Sequence, residues 1–130
     1  AALDLLRMAR ITGRADWEEK ARRLLGAFSA AVEQNPTAYP QLLIALDFAL
    51  GPSREIVLAG DPNDPALQAM IQAVYRPFLP NQVVALSSDV PFLQGQGPVG
   101  GKAAVYICEN QACQLPVTDL ETLKKKLMVK

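Results

Sequence analysis

The chain has 130 residues, of which 50% are hydrophobic, and its 13 lysines and arginines balance its 13 aspartates and glutamates. This composition excludes a disordered tail and argues against a nucleic-acid partner, because affinity for phosphates needs a surplus of cations. The sequence contains no histidine, so a Ser-His-Asp triad, a Cys-His dyad and a histidine-ligated metal are excluded within it.

Residues 1–51 predict a run of antiparallel helices. Apolar residues recur at helical spacing in three segments, which end near Gly13, at Asn35-Pro36 and at Gly51-Pro52. The composition changes after this last turn. We therefore expect a helical segment over 1–51 and a second unit over 52–130.

Residues 52–130 predict a small α/β unit. Short apolar runs at 55–59, 83–86 and 103–108 are typical of buried strands, and an amphipathic helix separates the first two. A strand, a helix and a strand in this order form a βαβ unit with parallel strands. We expect a fold of the α+β or α/β class, in which antiparallel helices precede a three-stranded unit that contains this βαβ element.

Four side chains are predicted to cap helices, because their oxygens can accept hydrogen bonds from the free amides of a first turn. Asp16 begins a partial capping box for the second helix, and Thr37 precedes the third. Asp64 stands before a proline at the start of the βαβ helix, and Thr118 begins a capping box for a final helix.

One motif suggests a nucleotide cofactor but lies in the wrong context. Residues 95–100 spell G-x-G-x-x-G, yet a strand follows them instead of a helix, and Pro98 removes an amide that would face a pyrophosphate. A phosphate-binding loop fails as well, because Ala103 stands where a Ser or Thr is needed. We expect a turning loop here and no cofactor.

Cys108 and Cys113 form a C-x4-C pair at the end of the third predicted strand. A zinc or iron–sulfur site would need further ligands that the sequence lacks. Two interpretations remain open: small residues that line a turn, or a disulfide with a structural, regulatory or thiol-redox role.

Asp47 and Tyr39 are the other candidate site residues. Asp47 interrupts an apolar helix, and it either forms a buried ion pair with Arg7, Arg10 or Arg14 or serves as an acid–base residue at the rim of a barrel. Tyr39 either packs between helices or stacks on a sugar.

The sequence also bears on location. It holds no run of 18 apolar residues, so we expect no membrane span and no membrane partner. Its two cysteines are too few for a disulfide-framed secreted domain and no signal peptide opens it, so we expect a cytoplasmic origin. It begins without Met, and we expect a piece of a longer protein.

Four stretches carry a family resemblance. Residues 39–52 and 54–60 resemble the C-terminal region of the thioredoxin-domain-containing, spermatogenesis-associated protein family. Residues 101–108 and 115–119, with Cys113 between them, resemble the closing segment of that family. The order and spacing of these stretches carry the resemblance over nearly the whole chain.

The resemblance implies a long parent protein. Such a parent has a thioredoxin-like domain, then an α/α barrel similar to six-hairpin glycosidases and sugar epimerases, then an α/β tail. The helices of this chain would be the end of the barrel, and the missing barrel and thioredoxin-like domain would be its partners. Without them the helices would expose apolar surface, so we expect homo-oligomers through this segment.

Three functions follow as hypotheses. The first is a non-catalytic C-terminal packing module. The second is a thiol–disulfide element that uses Cys108 and Cys113. The third is a share in a carbohydrate-active barrel enzyme, with Asp47 or Tyr39 at its rim.

Overall fold

Helices come first in the fold and a small sheet follows. The computed structural model describes residues 1–90, 93, 95–109 and 112–128. The helices are α1 (Ala2–Thr12), α2 (Ala15–Ala27), α3 (Ser29–Gln34), α4 (Pro40–Leu50), α5 (Pro65–Tyr75) and α6 (Leu120–Met128), with a 3₁₀ turn at Pro36–Ala38. The strands are β1 (Arg54–Ala59), β2 (Gln82–Leu86), β3 (Ala104–Glu109) and β4 (Ala112–Cys113). None of the helices in these ranges is long and apolar enough to cross a membrane.

The second predicted helix is two helices, α2 and α3, separated at Phe28. Gly26 just before the break has low helix propensity. The hydroxyl of Ser29 donates a hydrogen bond to the carbonyl of Gly26 at 2.9 Å. A serine hydroxyl that competes for helix carbonyls weakens the ladder, so the prediction of one continuous helix is wrong here.

Both predicted caps of the helical segment are wrong. Arg14, and not Asp16, is the residue before α2, and the Asp16 carboxylate accepts hydrogen bonds from the Arg14 guanidinium at 3.1 and 2.8 Å. This contact holds the pKa of Asp16 below its ordinary value. Thr37 lies within the 3₁₀ turn and donates its hydroxyl hydrogen bond to Asn35.

The caps of the α/β unit follow the sequence more closely. The Asp64 carboxylate accepts a hydrogen bond from the amide of Ala66 at 2.9 Å, so this predicted cap is confirmed. At α6 the cap is Asp119 and not Thr118, since Asp119 accepts from the amide of Thr122 at 2.8 Å. This hydrogen bond stabilises the charged carboxylate and holds the pKa of Asp119 below its ordinary value.

The sheet has four strands in the order β2-β1-β3-β4. β1 and β2 are parallel, as the βαβ pattern predicts. β3 runs antiparallel to β1, and β4 antiparallel to β3. The sequence predicts three of these strands. The fourth is two residues long, which is too short for an alternating pattern to reveal it.

The chain has two apolar cores. One lies between the sheet and helices α5 and α6, and includes Ile56, Leu58, Val105, Leu67 and Leu123. The other lies among the first helices, and consists of Ala2, Leu6, Ala21, Ala45 and Phe48 together with Val83 from β2. The helical core therefore extends onto the sheet through one strand, and the division at residue 52 stays a prediction.

Candidate functional site

A disulfide joins the last two strands of the sheet. Cys108 of β3 and Cys113 of β4 are directly opposite each other in the register, and their sulfurs are bonded at 2.03 Å. The neighbouring pair is hydrogen-bonded, because the amide of Gln114 donates to the carbonyl of Ile107 at 3.0 Å. Cys108 and Cys113 thus form the close, non-hydrogen-bonded type of antiparallel pair. The antiparallel pairing brings together the two candidate cysteines, while 110–111 between them lie outside the described residues.

The two sulfurs have different surroundings. Cys108 lies inside the sheet edge with 3% of its surface exposed, whereas Cys113 is exposed. The two cysteines face the side of the sheet opposite to the core with α5 and α6, because Ile107 points into that core and side chains alternate along a strand. Of the two bonded residues, Cys113 is thus the one exposed to solvent.

The loop before β3 lies over this disulfide. The Gln96 side-chain amide donates to the Cys113 sulfur at 3.0 Å and lies 3.6 Å from the Cys108 sulfur. The hydroxyl of Tyr106 on β3 donates to the carbonyl of Gly97 at 2.8 Å and holds the loop against the sheet. Sequence reasoning missed Gln96, because no local pattern relates a loop glutamine to a cysteine 17 residues later.

The G-x-G-x-x-G segment is a turning loop, as its context predicts. Val99 and Lys102 exchange backbone hydrogen bonds at 3.0 Å, and the turn between them holds Gly100 and Gly101 at φ of 57° and 73°. Two consecutive positive φ angles are typical of a tight hairpin turn, where glycine is favoured. The chain then enters β3. Within this motif, the Gln96 side chain contacts the disulfide.

A buried ion pair lies on the same face of the sheet as the two cysteines. Glu55 of β1 is directly opposite Cys108 in the register. Its carboxylate lies 3.7 Å from the guanidinium nitrogen of Arg10, with the two side chains 10% and 13% exposed. The pair joins α1 to the sheet. Glu55 is a charged residue within the predicted apolar run of β1, and that contrast is the sequence signal that could have identified it.

Asp47 and Tyr39 lie elsewhere and do not form a buried site. Asp47 is exposed on α4, and its carboxylate accepts a hydrogen bond from the side-chain amide of Asn81 at 2.7 Å. The interpretation of a buried ion pair between Asp47 and an arginine is therefore wrong. Tyr39 is half-buried and packs its ring against Phe28, with ring centroids 6.4 Å apart.

The outer face of α4 is strongly apolar. Ala45 and Phe48 are fully buried on its inner side. Four large apolar side chains on its other sides stay exposed, at 37%, 45%, 37% and 77% respectively, and we call them the α4 apolar face: Leu43, Ile44, Leu46 and Leu50. Asp47 is the exposed charged residue among them. Large apolar side chains that stay exposed around such a helix are typical of a surface that packs against a partner.

The part of the chain that the structure describes holds no candidate metal site. Among those residues, no group of three Cys, Asp or Glu side chains is arranged to hold a metal ion. Within the described residues, the disulfide with Gln96 beside it is an arrangement that can do chemistry. Its sulfurs can exchange with an external thiol, because Cys113 is exposed.

These features define an α+β module with a cross-strand disulfide at one edge of its sheet and an uncovered apolar helix face. The chain is similar to spermatogenesis-associated protein 20 of Rattus norvegicus, Mus musculus and Homo sapiens, with identities of 38%, 37% and 35% over 136 residues. Each match covers 98% of this chain and 17% of the relative. No family model matches the chain, and no solved structure matches it.

The matches agree in part with the family resemblance seen in the sequence. Relatives named as spermatogenesis-associated proteins are similar to almost the entire chain. The chain spans only 17% of the length of these curated relatives. The matches do not extend to a thioredoxin-like domain or an α/α barrel, and both stay proposals.

Proposed function

We propose that this chain is a non-catalytic packing module of a larger protein, in which the α4 apolar face is covered by other helices of the same protein. The observation that carries the proposal is the exposure of Leu50 and Ile44, at 77% and 45%, on a helix whose other side is already buried. Large apolar side chains exposed together on one helix are typical of an interaction site.

The occupant of the α4 apolar face is proposed to be a further part of the parent chain. The matched relatives are much longer than this chain, since the match covers 17% of each. Their remaining length is ample to supply covering helices. In the parent that the family resemblance implies, these helices belong to an α/α barrel, and the α/β unit braces one end of it in the cytoplasm.

Self-association of the chain tests this proposal. We expect a second copy to take the place of the missing helices, so that the chain forms oligomers as its concentration rises in analytical ultracentrifugation. The double variant Ile44→Gln/Leu50→Gln should shift it to monomer. Leu115→Gln is the matched control, because Leu115 is an exposed leucine outside the α4 apolar face.

Two results would contradict the packing module. One is a native chain that stays monomeric at every concentration. The other is association that survives the double variant or disappears equally in the Leu115→Gln control.

A second candidate function is thiol–disulfide chemistry, and the disulfide between Cys108 and Cys113 favours it. A thioredoxin-like domain in the parent would be a suitable partner for the exposed Cys113 sulfur. The carbohydrate hypothesis receives no such support, because Asp47 bonds to Asn81 and Tyr39 packs on Phe28. We carry no sugar chemistry onto these residues.

A further inference from the structure

We infer that the disulfide is a directional thiol–disulfide exchange site: an incoming thiolate attacks Cys113, Cys108 leaves, and the Gln96 amide stabilises the leaving sulfur. This inference rests on the second candidate function and assigns a role to each sulfur. Its substrates are dithiols, either small molecules or protein thiol pairs. It is independent of the packing role of α4.

Access decides which sulfur is attacked. A thiolate must approach a disulfide sulfur directly to form a mixed disulfide. Cys113 is exposed on the short edge strand β4, whereas Cys108 has 3% of its surface exposed and is enclosed by the sheet. The attack therefore falls on the Cys113 sulfur, and the negative charge develops on Cys108.

The buried surroundings of Cys108 disfavour this negative charge, and the side-chain amide of Gln96 offsets that effect. Burial disfavours a thiolate, and a leaving sulfur that holds charge badly leaves slowly. The Gln96 amide nitrogen lies 3.6 Å from the Cys108 sulfur and 3.0 Å from the Cys113 sulfur. An N–H donor at this position can move its hydrogen bond to Cys108 as the bond breaks, and hydrogen bonds to charged acceptors are stronger than neutral ones.

The oxygen of the same side-chain amide can accept a hydrogen bond when the two cysteines are reduced. Gln96 Oε1 is buried and has no hydrogen-bond partner among the described residues. A Cys thiol is a weak donor, so the reduced pair offers this oxygen a proton that the disulfide cannot. One side chain thus complements both redox states.

The exchange balances in two steps. First, one thiolate of the dithiol forms a bond to the Cys113 sulfur while the bond between Cys113 and Cys108 breaks, and Cys108 leaves as a thiolate that then takes up a proton. Second, the other thiolate of the dithiol attacks its own mixed-disulfide sulfur, and Cys113 leaves as a thiolate. The dithiol is oxidised to a disulfide by two electrons, and the protein pair is reduced.

The direction of attack is tested on the native chain with glutathione as the probe thiol. The reaction is quenched with acid, and peptide mass spectrometry locates the adduct. We expect the glutathione adduct on Cys113. An adduct on Cys108 would overturn the inference.

Single-cysteine variants give an independent measure of access. In Cys108→Ser the remaining Cys113 should react with dithiodipyridine at least about tenfold faster than Cys108 does in Cys113→Ser. Urea should abolish the difference, which shows that the fold and not the sequence causes it. Equal rates in the folded variants would contradict the assignment. Cys108→Ala and Cys113→Ala replace the serine variants if either fails to fold by circular dichroism.

The role of Gln96 is tested by the rate at which dithiothreitol reduces the disulfide. Gln96→Leu should slow the reduction about tenfold, because one hydrogen bond to the leaving sulfur is lost. Gln72→Leu is the matched control, since Gln72 is exposed on α5 away from the disulfide, and its rate should be unchanged. Gln96→Glu should slow the reaction as well, because its carboxylate repels the thiolate and donates no hydrogen bond when ionised.

Two results separate the possible failures. An unchanged rate in both Gln96 variants would overturn the role of that residue. Measuring the rates also in the Ile44→Gln/Leu50→Gln background keeps them independent of association, so failure of the packing module leaves this test intact. A disulfide that dithiothreitol reduces only after unfolding in urea would overturn the exchange site itself.

Discussion

The α/β unit and the helical segment differ in how completely they bury their apolar side chains. In the α/β unit Leu58 and Val105 are at most 1% exposed, because helices α5 and α6 cover that face of the sheet. In the helical segment α4 buries Phe48 on one side and leaves Leu50 77% exposed on another. Helices of this chain therefore cover one face of the sheet, whereas the described residues cover only one side of α4.

The largest expected effect comes from truncating one core residue in each region. Phe48→Ala should lower the free energy of unfolding by about 4 kcal/mol and Leu123→Ala by about 3 kcal/mol, because both side chains are fully buried and each change leaves a cavity. Urea unfolding measures both. Ile44→Ala is the control on the α4 apolar face and should cost under about 1 kcal/mol.

Amide exchange sharpens this comparison. Phe48→Ala should loosen α1 and α4 more than β1 and β3, since the two cores are largely separate. Uniform loss of protection in both regions would show that the two cores unfold as one.

The next effect concerns the ion pair that joins the two regions. Glu55→Gln should destabilise the chain by about 3 kcal/mol, because it leaves the largely buried Arg10 guanidinium without its counter-charge. The double variant Arg10→Met/Glu55→Leu should recover most of this loss, since it removes both buried charges. A double variant that is less stable than Glu55→Gln would contradict this account.

Removing the disulfide should have a smaller effect. Cys108→Ala/Cys113→Ala should cost about 2 kcal/mol in the chain-entropy account, because the bond closes a short loop between residues five apart. Urea unfolding without reductant measures it, and the reduced native chain is the matched comparison. A loss as large as that of Phe48→Ala would mean that β4 supports more of the fold than its two residues indicate.

The smallest expected effect is a pH dependence at the cap of α6. The folded chain holds the pKa of Asp119 below its ordinary value of 3.8, so the cap contributes stability above that pH and loses it as the pH falls through the lowered pKa. Melting temperatures of the native chain and Asp119→Asn, measured down an acid series, should converge as the native carboxylate is protonated. A constant difference at every pH would contradict the cap.

Sequence reasoning worked where the signal is local. The apolar runs of β1, β2 and β3 and the proline after Asp64 each lie within a few residues, and the structure has the strands and the cap that they predict. Local reasoning failed at Thr37 and Asp16, where a nearby side chain took the hydrogen bond. Short oxygen-bearing side chains have several partners within reach, so their choice depends on small differences in backbone geometry.

The sequence indicated only part of the candidate site. The spacing of Cys108 and Cys113 allowed their sulfurs to meet, and the antiparallel pairing of β3 with β4 brings them together. It could not show which sulfur is buried, because burial of Cys108 depends on strands and a loop far along the chain. The partner of Asp47 was misjudged for the same reason, since Asn81 lies 34 residues away.

By itself, the sequence determined the order of the helices and strands, apart from the break at Phe28 and the short β4, and the apolar character of α4. Each of these depends on residues within one turn or one strand. Only the tertiary structure decided that Gln96 lies on the disulfide, that Arg10 meets Glu55 beside Cys108, and that one face of α4 is uncovered. These facts depend on contacts between segments far apart in the chain. Such contacts form from the packing of whole elements and leave no periodic trace in the residues that make them.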